Sequence, residues 1–62
     1  MDFPEAMKAV IAHKKVQRLD WPDKVYGVMK DGFLMLQKED GPHQWLVSDA
    51  DMLAQDWVVL TK

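Results

Sequence analysis

The chain has 62 residues, no cysteine, and 8 basic side chains against 10 acidic ones, for a net charge of −2. A chain of this length buries only about 60% of the surface it exposes when unfolded, and without cysteine no disulfide offsets that shortfall. His13 and His43, the only imidazoles, stand too far apart for the close ligand spacing of a structural zinc site, and no basic run longer than Lys14-Lys15 is present to neutralise a nucleic-acid backbone.

Asp2-Phe3-Pro4-Glu5 opens a helix, with Asp2 as the capping acceptor, Pro4 in the first turn and Glu5 three residues beyond the cap. Phe3, Met7, Val10, Ile11 and Lys14 then fall at three- and four-residue steps, an apolar stripe for a core, while Glu5, Lys8 and Ala12 turn away. His13, Lys14 and Lys15 put positive charge at the negative end of the helix dipole. Over residues 15–21 the period shortens to two and predicts a first strand. Trp21-Pro22-Asp23 then turns the chain, because the residue before proline is pushed out of the helical region.

Residues 25–29 and 33–38 are apolar, β-favouring runs joined across Lys30-Asp31-Gly32, whose Asp-Gly step suits the left-handed geometry of a tight hairpin. Glu39-Asp40-Gly41-Pro42 predicts a second turn and residues 44–47 a short strand after it. Ser48-Asp49-Ala50-Asp51 repeats the capping pattern and opens a helical turn through Met52, Leu53 and Ala54. Gln55-Asp56 ends that turn, and Trp57-Val58-Val59-Leu60 reads as the last strand. The order predicts one α+β domain over residues 1–62: an N-terminal helix packed on a small antiparallel sheet, with a short second helix before the last strand.

On the central hairpin both parities are apolar: Phe33 and Met35 point one way, Leu34 and Leu36 the other, and Val25 and Val28 also fall on opposite faces. A sheet with one wet face would alternate. The first helix can cover one face; a second subunit is the economical cover for the other, although the short second helix could contribute. Self-association is therefore expected. No apolar run is long enough to span a bilayer, and Asp2 and Glu5 stand where a signal peptide carries positive charge, so a cytoplasmic protein with no membrane partner and no duplex nucleic-acid partner is expected.

Catalytic signals are sparse. Ser48 and His43 are near in sequence, with Asp49 and Asp51 beside them, but Ser48 is better explained as a helix cap; the pairs Asp49/Asp51 and Asp20/Asp23 read as solvated turn carboxylates. No glycine-rich phosphate loop occurs. The expectation is binding without catalysis, with no cofactor or metal. Arg18 shares strand parity with Val16, which should face the core. It must therefore pair with Asp20, Asp51 or Asp56, reach water at an edge, or contact a ligand phosphate or purine. Trp21 and Tyr26 flank the turn after this strand and Trp45 precedes the second helix. They read either as packing or as platforms for stacking a base.

The residues Phe3-Pro4-Glu5-Ala6-Met7, Lys14-Lys15-Val16-Gln17-Arg18, Trp21 and, above all, Trp45-Leu46-Val47-Ser48-Asp49-Ala50-Asp51-Met52-Leu53-Ala54-Gln55-Asp56-Trp57 make the chain resemble the Thoeris anti-defence 2 family of phage proteins over nearly its whole length. The resemblance implies a small α+β protomer in a homotetramer, in the host cytosol. Its junction pockets would sequester, without degrading, the cyclic ADP-ribose-type signals made by bacterial TIR-domain defence proteins; some members also hold cyclic dinucleotides at separate sites. It places Arg18, Trp21, Trp45 and the turn from Ser48 to Asp51 at or near a pocket, and Tyr26 joins them as a candidate platform. Many relatives have glycine where this chain has His13, and the segment between Trp21 and Trp45 is shorter than in many. The rival expectation is a small protein-interaction module that inhibits a host protein through exposed aromatic and methionine side chains.

Overall fold

The computed structural model describes residues 1–60. Its elements are α1 (Phe3–Ile11), β1 (Lys15–Arg18), β2 (Tyr26–Lys30), β3 (Phe33–Lys38), β4 (Gly41–Gln44), α2 (Asp49–Leu53) and β5 (Trp57–Leu60). The strands form one antiparallel sheet in the order β4-β3-β2-β1-β5, so the last strand lies against the first. This is the α+β arrangement expected from the sequence, with α1 packed on the sheet and α2 preceding the final strand.

α1 begins with a complete capping box: the Glu5 amide donates to Asp2 Oδ1 at 3.0 Å and the Asp2 amide donates to Glu5 Oε1 at 3.4 Å. Its buried positions are Ala6 and Val10, flanked by Phe3, Met7 and Ala9; Ile11, expected on the stripe, is 71% exposed. Ile11 follows Val10 directly, and a step of about 100° per residue swings it off the face that Ala6 and Val10 share. The helix ends on a left-handed residue. The His13 amide donates to Val10 O at 2.9 Å and the Lys14 amide to Ala9 O at 3.0 Å, with His13 at φ 66°. These are the two bonds of a Schellman closure, whose left-handed position is usually glycine.

β1 stops at Arg18, three residues earlier than the periodicity predicts, because the Trp21 amide donates to Arg18 O at 3.0 Å and folds residues 18–21 into a turn. The β2–β3 hairpin forms as expected and is tighter than drawn: Lys30 pairs with Phe33, leaving a loop of Asp31 and Gly32, with φ 53° and 83°. Both signs match the mirror-image turn that suits strand twist. The strand expected at residues 44–47 is displaced toward the N-terminus. Lys38 pairs with Gly41, and β4 runs from Gly41, at φ 124°, to Gln44. Pro42 is tolerated inside it because β4 is an edge strand.

Val16, Gly27, Leu36, Trp57 and Val59 share the sheet face that meets α1. With Ala6, Val10 and Trp45 they surround the core, whose buried hydrophobic residues are Ala6, Val10, Val16, Trp45 and Trp57. Trp45 lies against the backbone of β2 at Gly27, where an added Cβ would overlap the six-membered ring of the indole. The opposite parity forms a second face that neither helix covers; Tyr26, Val28, Met35, Val58 and Leu60 on it are half-buried and Phe33 is exposed.

Candidate functional site

The core-side face opens into a cleft of about 630 Å³. One wall is Trp21, Pro22 and Val25 from the β1–β2 connection; the floor includes Leu36 and Trp45; Lys38, Gln44, Leu46, Ser48 and Asp51 complete the rim. Each group arrives for a local reason. Leu36 and Lys38 keep the parity of β3 that faces α1, and Lys38 extends past the end of the core. Trp45 follows β4, with its amide donating to Leu34 O at 3.2 Å, and the missing side chain at Gly27 gives its ring room.

Trp21 and Trp45, which line the cleft, cluster with the buried Trp57 behind them. Trp21 meets Trp45 edge-to-face at 5.5 Å and Trp57 at 5.2 Å, and Trp45 lies 5.7 Å from Trp57. Such offset and edge contacts let the ring quadrupoles attract. Asp51 satisfies the polar edges of Trp45 and Trp57. Its Oδ2 accepts from Trp45 Nε1 at 3.4 Å and from the Ser48 amide at 3.3 Å, while its carbonyl accepts from Trp57 Nε1 at 3.2 Å. Ser48 Oγ in turn accepts from the Asp51 amide at 3.2 Å, completing the expected capping box of α2.

Arg18 neutralises this cluster. Its guanidinium reaches Asp56 from Nε at 3.0 Å and Asp51 from a terminal nitrogen at 3.3 Å, so two of the three carboxylates named as structural partners from the sequence are engaged, and Asp20 is not among them. The hydrogen bond from Arg18 holds the Asp56 carboxyl below the usual carboxylate range, and the same bond raises Arg18 above its ordinary value. Among the described residues, no buried side-chain nitrogen or oxygen lacks a hydrogen-bond partner.

Of the six candidate ligand residues, Trp21, Trp45, Ser48 and Asp51 line the cleft together. Arg18 stands behind Asp51, outside the lining, and Tyr26 lies on the other face of the sheet with Lys15 Nζ 4.8 Å from its ring centre. Pro22, Val25, Leu36 and Lys38 were not singled out from the sequence. Gly27, an otherwise unexplained glycine inside a strand, was the available sign that something large sits on β2. His43 lies away from Ser48, with Nε2 2.9 Å from Asp40 Oδ1 on an exposed hairpin. Among the described residues, no cluster of three or more His, Cys, Asp or Glu side chains is placed to hold a metal ion.

The stretch from Trp45 to Trp57 thus supplies two of the three clustered indoles, the cap and the acidic hub in one piece. The sequence profile of the Thoeris anti-defense 2-like domain matches residues 1–60. The chain belongs to this family. For a Thoeris anti-defense 2-like protein, the motif Ser48-x-x-Asp51 is the joint that ties α2 to two tryptophans and to Arg18 on β1. Membership gives the protein a role in anti-defense against Thoeris systems. The left-handed position that closes α1 is occupied by His13. No curated protein matches the chain.

Proposed function

We propose that the protein captures a cyclic ADP-ribose-type nucleotide signal in the Trp21–Trp45 cleft and withholds it, intact, from its receptor. The observation that carries the reading is the cleft itself in a chain of this family. Its volume of about 630 Å³ suits a small ligand. Indole and aliphatic walls offer surfaces to a base, and Lys38, Gln44 and Ser48 offer a cation, an amide and a hydroxyl to phosphate and ribose. Sequestration without turnover is supported by where the candidate nucleophile and base stand: Ser48 caps α2, and His43 is paired with Asp40 elsewhere.

The protein works as a homo-oligomer, with four subunits preferred over two. The uncovered face bearing Tyr26, Val28, Met35, Val58 and Leu60 supports this, because a second copy would remove from water an apolar area that 60 residues leave half-exposed. Native mass spectrometry after incubation with cyclic ADP-ribose and with nucleotide extracts tests the reading. The expected result is intact ligand released on heating, and Trp21→Ala should weaken capture by about 1–3 kcal/mol, the range for stacking one base. Cleaved product in amounts exceeding the protein would end the sequestration reading. A protein-interaction module is a second reading, favoured by Leu46, 77% exposed on the cleft rim, and Leu53, 81% exposed on α2; recovery of a host protein with no nucleotide would select it.

A further inference from the structure

Gln17 lies on β1 with the parity of the uncovered sheet face, opposite the cleft, yet its side chain reaches the segment that walls it. Its Nε2 stands 3.1 Å from Pro22 O, 2.9 Å from Asp23 O and 2.9 Å from Val25 O. Three acceptors around one atom fix the orientation of the amide, since only its NH2 end can meet them. Two N–H protons serve three carbonyls, so at least one bond is shared.

The surrounding ladder explains why such a grip is needed. β1 and β2 pair at Val16 and Gly27 and then splay apart, whereas β1 and β5 pair through four successive rungs. Between residues 19 and 25 the backbone contributes a bond from the Leu19 amide to Asp56 O and two local turns, Trp21 to Arg18 and Val25 to Pro22. Those turns shape the segment but do not tie its far end to β1. The amide of Gln17 does so, at the point where the next rungs between the two strands would have stood. The same segment carries Trp21, Pro22 and Val25, the wall of the cleft.

We propose that Gln17 is the positioning residue of the cleft: gripping three carbonyls from behind the sheet, it sets where the Trp21–Pro22–Val25 wall stands and so how well the cleft fits its ligand. The inference deepens the capture reading and rests on it for its functional meaning, while the grip itself is measurable without any ligand. Without the grip, local opening of the segment becomes easier, because it is then opposed by local turns, the Leu19–Asp56 backbone bond, the exposed Lys24–Glu39 pair and the edge contacts of Trp21.

Two variants test it: Gln17→Leu, which keeps the bulk and removes both donors, and Gln17→Asn, one methylene too short to reach all three carbonyls. Amide hydrogen exchange at Trp21 and Val25, and trypsin cleavage after the exposed Lys24, should rise about tenfold or more in both, with exchange in β3 unchanged. Calorimetric affinity for cyclic ADP-ribose should fall about fivefold or more. Wild-type exchange and cleavage in both variants would overturn the grip. A loosened segment with unchanged affinity would overturn its positioning role, and global unfolding of both variants would make Gln17 a determinant of the fold and overturn the proposal as well. A wild-type protein that does not bind cyclic ADP-ribose refutes the capture reading, and the exchange and cleavage measurements still decide whether Gln17 holds the segment.

Discussion

His13 is the residue most at odds with its backbone. A φ of 66° costs an L side chain about 1–2 kcal/mol relative to the right-handed region, and the closing bonds from His13 and Lys14 hold it there. Replacing it with glycine removes that cost but returns some unfolded-state entropy. His13→Gly should therefore stabilise the fold by about 0.5–1 kcal/mol, seen as a raised urea midpoint at unchanged m-value. Arg18 is the opposite case, a residue whose surroundings all agree with it. Its side chain is 17% exposed, between Asp51 at 12% and Asp56 at 31%. Arg18→Ala should cost about 2–3 kcal/mol, below the 3–5 expected for a fully buried pair, and should lower the melting temperature before any effect on binding is measured. The sequence left Arg18 open between an ion pair and a phosphate contact, since nothing in a strand's periodicity tells which distant carboxylates will meet it.

The same cluster sets an acid dependence. Asp56 is held below its ordinary value by Arg18, so its contribution is fully present above the unfolded carboxylate range, near pH 3.9, and is lost as pH falls through the lower folded value. Arg18 stays charged throughout and contributes no slope of its own there. Urea midpoints measured between pH 6 and pH 2 should fall most steeply below about pH 4, and Asp56→Asn should flatten that fall.

At the scale of elements, the hairpins make the sharper predictions. The β2–β3 turn was legible because Asp-Gly between apolar runs has few other uses. β4 was not, because Gly41 and Pro42 look like breakers while the following Trp45-Leu46-Val47 looks like a strand. The edge position admits the proline, and the apolar residues leave the sheet to place Trp45 over Gly27. Gly41 is constrained in its own right: at φ 124° it is farther from any region open to an L side chain than Gly32 at 83°. Gly41→Ala should destabilise at least as much as Gly32→Ala, each by about 1–2 kcal/mol, in paired thermal melts. Gly27→Ala fails for another reason, since the new methyl meets the Trp45 ring, and should cost more than about 2 kcal/mol.

For the whole molecule, the question is what covers the second face of the sheet. Met35 and Val28 pair across β2 and β3 at its centre. If a second copy covers them, Met35→Glu should give a monomer by analytical ultracentrifugation; a wild-type protein that is a stable monomer at micromolar concentration would sink the interface. The two-sided apolar pattern of the hairpin was readable directly, and so were the helix caps, since both depend on neighbours in sequence. The cleft was half-readable. Trp21, Trp45, Ser48 and Asp51 announced themselves by type and capping pattern. Pro22, Leu36 and Lys38 become a wall and a rim only through strand register, which no local pattern records.

The packing of the three tryptophans has an optical consequence. Rings whose centres lie 5.2 to 5.7 Å apart are close enough for their electronic transitions to couple. The native protein should therefore carry a paired positive and negative band in its circular dichroism that no single indole would give. Trp21 contributes to two of the three pairs and also stands in the cleft wall, so anything that displaces it should erase most of the signal while the peptide bands persist. The chain thus contains its own unlabelled reporter, able to distinguish a shifted wall from an unfolded protein in one spectrum.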